Sequence, residues 1–290
     1  MSGLAVILVT HEARERVLAS LDDLAADPAR AGWDIVVVDN ASSDGTIGAI
    51  AARHPAVRTI RNEVGRGFAA AVNQGIAATT APAVAIATAG TRVPVGALGQ
   101  LAEVLRSARD IAAVGPLIRN PDGTVQRHGL FRPRAVTALI VLLGLDRLPG
   151  LGHEAKRYYG PHTPGPPLDV EQLSGACVLL SRAAIEAIGG FDERFFLYCE
   201  DVDWCLRAKS AGWRVVFAPD VAVSREKSAT AKGASGPTIR LYYRSLRWFY
   251  AKHHRNTPLP IRALWSAGAY LAEWSALGSN ALRRRKGLRY

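Results

Sequence analysis

Three carboxylates crowd the start of one predicted helix, at Glu200, Asp201 and Asp203. Acids at this position also stabilise a helix through its dipole, and Asp203 could pair with Arg207 one turn later, but either role needs only one acid. Aromatic residues lie on both sides of the cluster. Crowding and burial raise a carboxyl pKa toward the range of a general base. The cluster therefore predicts a site for general-base catalysis.

A second candidate site is the polar turn 39–46, which follows the aliphatic run 34–38. A carboxylate such as Asp39, at the end of a buried strand, can accept hydrogen bonds from a base imide or a ribose hydroxyl. The start of the next helix also favours anions. Asp44 is equally suited to capping that helix, because its short carboxylate accepts amide N–H groups. The turn predicts either a nucleotide site or a simple helix cap.

A third candidate is the glycine-containing segment 62–73. Gly65 and Gly67, just before a predicted helix, let the backbone approach a ligand closely, and Arg66 can neutralise a phosphate. An ordinary connector between a strand and a helix has the same composition. The segment indicates a phosphate site only in combination with the other two.

Strand and helix patterns alternate through the first half of the chain, which places these sites. Strands are predicted at 4–9, 34–38, 57–60 and 84–87, and helices at 14–26, 46–53, 67–78 and 94–106. Such alternation predicts parallel βαβ units in an open, doubly wound, mostly parallel sheet flanked by helices. Ligands of these sheets bind at the carboxyl ends of the strands, where the second and third candidates lie.

The second half of the chain is organised differently. Residues 132–167 are rich in proline, glycine and basic residues, and they predict a long insertion within a domain that spans 1–235. Residues 236–290 contain two basic, aromatic stretches with helical character, separated by Pro258 and Pro260. These stretches predict a helical C-terminal extension.

Composition excludes a largely disordered chain, because 49% of the 290 residues are hydrophobic and 21% are charged. The net charge of +11 predicts an anionic partner. Three cysteines at unrelated spacings form neither a disulfide framework nor a zinc pattern, so we expect the reducing cytoplasm. The start of the chain lacks the pattern of a signal peptide, and the apolar run 135–145 is too short to span a bilayer. We therefore expect a soluble or peripheral protein.

The three candidate sites occur in the order and approximate spacing of the family 2 glycosyltransferases, which the chain resembles from Ala5 to about Lys227. The block FDERFFLYCEDVDWCLR at 191–207 carries most of the similarity, which is greatest to the bacterial rhamnosyltransferase-like members. The resemblance implies a GT-A fold. It also implies transfer, with inversion, of a sugar from a UDP or dTDP sugar to a hydroxyl of a glycan or polyprenyl-diphosphate-linked acceptor, as in cell wall polysaccharide synthesis.

The resemblance further implies roles for individual residues. Asp201 would be the catalytic base, with Glu200 beside it. The nucleotide would be bound by Thr10, Glu12, Asp39, Asn40, Asp44, Asn62, Gly65, Arg66 and Asn73. The acceptor side would be lined by Ser174, Gly175, Ala176, Asp203 and Trp204.

The chain departs from the family where a metal ion is expected. The family carries an aspartate motif after its fourth strand, which binds Mg²⁺ or Mn²⁺, and a histidine further along. The corresponding residues here are Thr88, Gly90 and Ser224, none of which is a strong ligand for a hard cation. Fixed cations could stabilise the leaving diphosphate instead. The candidates are Arg66, Arg92, Arg225 and Lys227. The same loss leaves open a protein that binds a sugar nucleotide or a partner without turnover.

The basic, aromatic tail predicts a partner of its own. It fits peripheral attachment to an anionic membrane on the cytoplasmic face, and it fits equally a pair of packed helices with a solvated basic face. Nucleic-acid binding is not expected, because the chain contains no recognised nucleic-acid motif.

Overall fold

The structure is a computed structural model that describes residues 3–126, 128–131, 137, 145, 148, 152–226 and 235–285. Lys227 and most of 132–151 lie outside the described residues. Of the predicted insertion, the described part contains one helix, at Gly152–Tyr159.

The described strands and helices are as follows. The strands are β1 (Leu4–Thr10), β2 (Trp33–Asp39), β3 (Arg58–Arg61), β4 (Ala83–Thr88), β5 (Thr91–Arg92), β6 (Ile111–Arg119), β7 (Leu168–Val170), β8 (Cys177–Ser181) and β9 (Arg214–Arg225). The helices are α1 (Arg14–Ala26), α2 (Thr46–Arg53), α3 (Phe68–Ala77), α4 (Ala97–Arg106), α5 (Gly152–Tyr159), α6 (Arg182–Ile188), α7 (Glu200–Ser210), α8 (Gly236–His253) and α9 (Leu259–Arg285).

The strands form one sheet in the order β3-β2-β1-β4-β8-β6-β9-β5, with β7 paired to β9. The first four strands are parallel, and β6 and β9 are parallel to each other. Between these groups β8 runs antiparallel to both β4 and β6. The predicted α/β sheet flanked by helices is confirmed, and β8 makes it mixed.

The strand register brings the carboxyl ends of the first four strands together. Thr10 is paired with Asp39, Val9 with Thr88, and Asp39 with Arg61. The aliphatic runs that predicted β1, β2 and β4 are buried on both faces, as parallel strands under two layers of helices should be. The candidate nucleotide residues therefore share one edge of the sheet.

One predicted boundary is wrong by three residues. The helix expected from Pro94 begins at Ala97 instead. The intervening residues form a turn in which the N–H of Ala97 donates to the carbonyl of Pro94, and Gly96 has a φ of 81°. Only glycine adopts that left-handed conformation at little cost, so the helix begins after it.

The described residues divide into two compact units. The first comprises Met1–His128, Pro161–Phe196 and Glu200–Glu226, and it contains the whole sheet. The second comprises Gly129–Gly160, Leu197–Cys199 and Lys227–Tyr290, in which α8 and α9 pack against each other. The domain boundaries expected from the sequence stay predictions. None of the described helices is both long enough and apolar enough to cross a membrane.

Candidate active site

The two carboxylates at the start of α7 are held in different ways. Glu200 is 5% exposed, and its Oε2 accepts no hydrogen bond within the described chain. Asp201 is half-buried. Its Oδ2 accepts a hydrogen bond from the N–H of Gly175 at 2.7 Å, and its Oδ1 accepts one from the N–H of Val202 at 2.8 Å. Asp201 is therefore oriented by two backbone donors, whereas the Oε2 of Glu200 has none among the described residues.

Their pKa values move in the same direction for partly different reasons. Burial, and after it the charge of Asp201, raises the pKa of Glu200 well above its ordinary value. Burial also raises the pKa of Asp201, but hydrogen bonds from Gly175 and Val202 and the charge of Arg225 oppose that rise. One backbone hydrogen bond also favours the ionised form of Glu200, but more groups favour that of Asp201. This arrangement suits a general base beside a second, more buried carboxyl group.

Residues with strained backbone conformations lie next to the candidate site residues. Four non-glycine residues of the described chain have a positive φ: Glu12 at 46°, Ala41 at 69°, Tyr198 at 72° and Cys199 at 67°. Two of them follow the ends of β1 and β2, and two directly precede Glu200. Such conformations cost on the order of 1–3 kcal/mol each and cluster at functional sites. Their positions support both the strand ends and the start of α7 as functional.

Buried polar atoms without partners lie where β1 and β2 end. Thr10 and Asp39 are 2% and 0% exposed. The Oδ2 of Asp39 accepts the N–H of Ser42 at 3.1 Å, but its Oδ1 and the Oγ1 of Thr10 have no partner among the described residues. Leaving such atoms unpaired is costly, so they indicate a place that a ligand could complete. Asp39 is fully buried, so its Oδ1 is not in contact with solvent in this structure.

A cleft of about 530 Å³ opens at the residues that follow β2 and β3. It is lined by Ala41, Ser42, Ser43, Arg61, Asn62 and Glu63. The Oε1 of Glu12 accepts hydrogen bonds from the N–H and hydroxyl of Ser43 at 2.7 and 2.8 Å, so Glu12 fixes the wall of this cleft. The volume is in the range of small-molecule sites.

Arg61 is a residue of this cleft that the sequence analysis missed. The third strand was expected to end at Ile60, but it continues to Arg61, whose register partner is Asp39. Its side chain is exposed at the strand ends. The sequence signal was present, since a basic residue directly after a predicted strand lies at the ligand edge of a parallel sheet.

The side chain of Asn40 organises the glycine segment. Its Oδ1 accepts the N–H of Arg66 at 2.8 Å and a weaker bond from the amide of Asn62 at 3.3 Å. Asn62 also exchanges two hydrogen bonds, both 2.9 Å long, with the amide of Gln74. Gly65 lies against the carbonyl of Asn40, and the Arg66 side chain is exposed. Asn40 and Asn62 therefore hold Arg66 at the strand ends.

Glycine is required at position 67 for a reason that differs from the predicted approach of a ligand. A Cβ at this position would lie 2.5 Å from the carbonyl oxygen of Phe196. The N–H of Phe68 donates to that same oxygen at 2.7 Å. The glycine admits the aromatic segment before α7 rather than a ligand.

Gly175 connects the glycine segment to the acid cluster. A Cβ on Gly175 would lie 3.4 Å from both the Asp201 carboxylate and the ring of Phe68. The next residue, Ala176, accepts hydrogen bonds through its carbonyl from the N–H of Thr88 and the hydroxyl of Thr91. The start of α7, the start of α3 and the end of β4 thus form one continuous site.

The turn after β4 does not fit a divalent metal ion. The hydroxyls of Thr88 and Thr91 are 3.3 Å apart, and the N–H of Gly90 donates to Ser20. No group of three His, Cys, Asp or Glu residues that could hold a metal ion occurs among the described residues. Neutral hydroxyls already hydrogen-bonded within the protein are poor ligands for Mg²⁺ or Mn²⁺.

The pairing of β5 with β9 places two of the cations proposed to stabilise the diphosphate, Arg225 and Arg92, on opposite faces of the sheet. Thr91 is paired with Arg225, and Arg92 with Ser224. Paired residues project to the same face and successive residues to opposite faces. Arg225 therefore lies on the side of Thr91 and acts electrostatically on Asp201.

Arg92 lies on the opposite face, so its predicted role in stabilising the diphosphate is wrong. Both guanidinium contacts of Arg92 go to the carboxylate of Asp23. Ser224 lines the same separate cleft as Arg92 and Asp23.

Four further predicted site residues make hydrogen bonds that hold the fold together. Asp44 accepts the N–H groups of Arg14 and Thr46, which is the capping role of the alternative interpretation. Partial burial works against it, but these bonds and the Thr46 hydroxyl lower the pKa of Asp44. Asn73 bonds to the backbone of Phe191 at 2.8 and 2.9 Å.

Asp203 and Trp204 are too deeply buried to contact an acceptor. They are 0% and 1% exposed. Asp203 pairs with Arg207 at 2.9 Å, and the indole of Trp204 donates to the carbonyl of Gly189 at 3.0 Å. Of the other residues predicted for the acceptor side, Ser174 is half-buried and Gly175 and Ala176 are buried, and their role stays a prediction.

Comparison with known proteins identifies relatives of this arrangement. A family model described as "Glycosyltransferase like family 2" matches residues 2–251. The N-acetylglucosaminyl-diphospho-decaprenol L-rhamnosyltransferase of Mycobacterium tuberculosis is 30% identical over 298 residues, which cover 97% of this chain and 91% of that protein.

Two solved structures share the fold. The mannosyltransferase PcManGT from Pyrobaculum calidifontis, in complex with GDP-Man and Mn²⁺, has a TM-score of 0.61 at 22% identity, over 97% of this chain and 74% of that one. GalNAc-T7 with UDP, GalNAc and Mn²⁺ has a TM-score of 0.61 at 17% identity, over 94% of this chain and 54% of that one. At such low identity these likenesses concern the fold alone, and they confirm the predicted GT-A architecture.

Proposed function

The chain belongs to the family 2 glycosyltransferases, and from that premise we propose that it transfers a sugar from a UDP or dTDP sugar to a hydroxyl group of a lipid-linked glycan, with inversion. The observation that carries the proposal is the oriented carboxylate of Asp201, which adjoins the strand ends through Gly175. A family 2 enzyme needs a base at this place, and Asp201 accepts hydrogen bonds that favour its ionised form against the effect of burial.

The reaction is a single displacement. Asp201 takes the proton of the acceptor hydroxyl, whose oxygen attacks the anomeric carbon. The bond between that carbon and the diphosphate oxygen breaks, and the nucleoside diphosphate leaves with the electron pair. The orphan oxygens of Asp39 and Thr10 and the cleft beside Arg61 support binding of the nucleoside at the strand ends.

The departing diphosphate needs positive charge. Arg225 and Arg66 supply it in this proposal, because Arg225 shares a side of the sheet with Thr91 and Arg66 is exposed beside Asn40. Positioned cations stabilise a leaving phosphate without any reorganisation during the reaction. We therefore infer a reaction that does not require a divalent metal ion.

The acceptor is inferred from the mycobacterial relative. That protein is named for an N-acetylglucosaminyl-diphospho-decaprenol acceptor and for L-rhamnose. We extend the class of acceptor to this chain, as a glycan carried on a polyprenyl diphosphate. The free thiols of Cys177 and Cys205 fit a reducing compartment, which supports action at the cytoplasmic face of a membrane.

The test is transfer by Asp201→Asn. UDP and dTDP sugars are offered with an N-acetylglucosaminyl-diphospho-polyprenol acceptor, and the product is followed by mass spectrometry. We expect the wild type to form product with at least one donor. The variant should lose roughly 10²–10⁴-fold in kcat, the usual contribution of a general base, with the Kd of the nucleoside diphosphate unchanged.

The matched control is Asp110→Asn, which removes an exposed carboxylate next to Arg214. It should transfer at the wild-type rate. Wild-type transfer by Asp201→Asn would refute the assignment of the base. A wild-type protein that binds nucleoside diphosphates but transfers no sugar from the panel would instead support a binding protein that has lost its activity.

A further inference from the structure

We propose that the outward face of α9, formed by Leu264, Ala267, Leu271, Trp274 and Gly278, docks on a bilayer that contains anionic lipid. This inference concerns a surface remote in sequence from the catalytic residues. It goes beyond the proposed sugar transfer and can fail independently of it.

Contacts between α8 and α9 determine which side of α9 faces outward. The rings of Trp265 and Tyr250 stack with centroids 3.4 Å apart. Trp265 and Ala269 are 4% and 0% exposed. One turn further along α9, the carboxylate of Glu273 accepts a hydrogen bond from Arg247 at 2.6 Å. These residues mark the side of α9 that packs on α8.

The opposite side of α9 is apolar and exposed. Leu264, Leu271 and Trp274 are 61%, 67% and 74% exposed. Separations of seven and three residues place them on one side of a helix, and Ala267 and Gly278 lie between them on that side. Large apolar side chains exposed in a continuous row mark an interaction surface in a soluble protein.

No charge interrupts this face. Between Arg262 and Arg283 the sole charged residue is Glu273, which is paired with Arg247 on the side of α8. The outward face therefore runs uncharged for several turns and has basic residues at both ends. Such a helix lies in a membrane interface, with its apolar side in the acyl region and its basic ends among the headgroups.

Charge complementarity identifies the bilayer as anionic. Residues 235–290 contain eleven Lys or Arg residues and a single acid, so they hold ten of the eleven net positive charges of the chain. Exposed basic side chains also occur on and after α8, at Arg240, Arg244 and Arg255. Clusters of this size beside an amphipathic helix are typical of attachment to anionic leaflets.

The other occupants fit less well. A second copy of the chain would bring two strongly basic segments together, and their repulsion opposes such a dimer. A nucleic acid would use the basic residues but not a row of exposed Leu and Trp side chains. Because none of the described helices can cross a bilayer, attachment would be to its surface.

The test is co-sedimentation of the full chain with vesicles of phosphatidylcholine alone or with one third phosphatidylglycerol, at physiological salt. We expect binding to the anionic vesicles and little to the neutral ones. The double variant Leu271→Gln, Trp274→Gln should bind about 10-fold or more weakly, because it removes two large side chains from the buried area. Both residues are exposed, so circular dichroism and Tm should stay as in the wild type.

Val95→Gln is the matched control, since Val95 is 58% exposed but lies in the first unit. It should bind vesicles like the wild type. The proposal is overturned if the wild type does not bind anionic vesicles, or if the double variant binds them as tightly as the wild type does. It is equally overturned if light scattering shows a dimer that the double variant abolishes. Transfer to a short, water-soluble acceptor should be unchanged in the double variant, which separates this test from that of the proposed function.

Discussion

The base proposed for the candidate active site is subject to opposing effects on one carboxyl group. Burial raises the pKa of Asp201, while two backbone N–H groups and the guanidinium of Arg225 favour its ionised form. Glu200 has burial and a like charge against its ionisation, and its Oε2 lacks a partner among the described residues. Glu200 therefore remains protonated to higher pH than Asp201. In the proposed mechanism this leaves Asp201 as the carboxylate that accepts the proton.

At the residue scale, Arg225→Gln should shift the pH dependence of transfer. Burial already favours protonated Asp201, so losing the cation raises the pKa of Asp201 further. The base is then ionised only at higher pH, and the acid limb of kcat/KM moves to higher pH. We also expect kcat to fall roughly 10²-fold even on the plateau, the scale of losing one charge-stabilising donor. Steady-state rates across pH 5–9 measure both effects.

Arg92→Gln controls for the loss of a guanidinium on the neighbouring strand. Arg92 pairs with Asp23 and projects to the other face of the sheet, so its variant should keep the wild-type pH profile. An unshifted acid limb in Arg225→Gln would contradict the electrostatic role of Arg225. Recovery of part of the activity in Arg225→Lys would support it.

Elements meet in this site through backbone contacts that leave no room for side chains. The first turn of α3 lies against Phe196, where the N–H of Phe68 donates to the Phe196 carbonyl and Gly67 provides the space. The glycine segment before α3 and the aromatic segment before α7 are therefore in direct contact. Displacing one should displace the other.

At the element scale, Gly67→Ala should cost both stability and activity, and Gly189→Ala is its matched control. The two glycines have nearly the same backbone angles, with φ and ψ of 86° and 169° at Gly67 and 83° and 172° at Gly189. A Cβ at Gly189 meets no atom within 4 Å, whereas at Gly67 it meets the Phe196 carbonyl at 2.5 Å. Both variants carry similar strain of about 1–3 kcal/mol.

The difference between the two variants isolates the contact with Phe196. Overpacking should add roughly 1–3 kcal/mol to the destabilisation by Gly67→Ala. It should also lower kcat/KM, because the segment before Glu200 moves. Urea unfolding and steady-state kinetics measure the two effects. Equal free energies of unfolding and equal kcat/KM values in the two variants would show that the Phe196 contact is unimportant.

Local patterns predicted the elements well where burial alone determines them. The aliphatic runs of β1 and β2 and the patterns that predicted α1 and α2 gave nearly the observed bounds, because each is decided by neighbours in sequence. The antiparallel insertion of β8 between β4 and β6 could not be predicted, since register between distant strands leaves no local period. The sheet was therefore expected to be more uniformly parallel than it is.

The candidate site was predicted in outline but not in the roles of its polar residues. The acid cluster and the strand ends were located from residue types and order. Asp203 was misassigned and Asn73 has structural hydrogen bonds that were not expected, because an acid or amide that caps a helix or ties a loop has the same local sequence as one that binds a ligand. Only the partners seen in three dimensions separate the two.

Charge is distributed very unevenly over the whole molecule. The segment 235–290 holds nearly all of the net positive charge, so the remaining residues, which include the candidate active site, are almost neutral. The anionic donor is therefore not attracted by a broadly basic catalytic unit. Its diphosphate must be recognised by individual guanidinium groups, which Arg66 and Arg225 provide in the proposed mechanism.

At the scale of the whole molecule, nucleoside diphosphates should raise the Tm equally with and without EDTA. A ligand present at about 100 times its Kd stabilises the folded state by roughly 2.7 kcal/mol, which a thermal scan detects easily. Because the turn after β4 presents hydroxyls in place of carboxylates, chelation should leave this gain intact, and added Mg²⁺ or Mn²⁺ should not increase it. Arg225→Gln should reduce the gain, and Arg92→Gln should not. A Tm shift that appears only with Mn²⁺ would contradict the metal-independent mechanism, because diphosphate recognition would then depend on an ion rather than on fixed guanidinium groups.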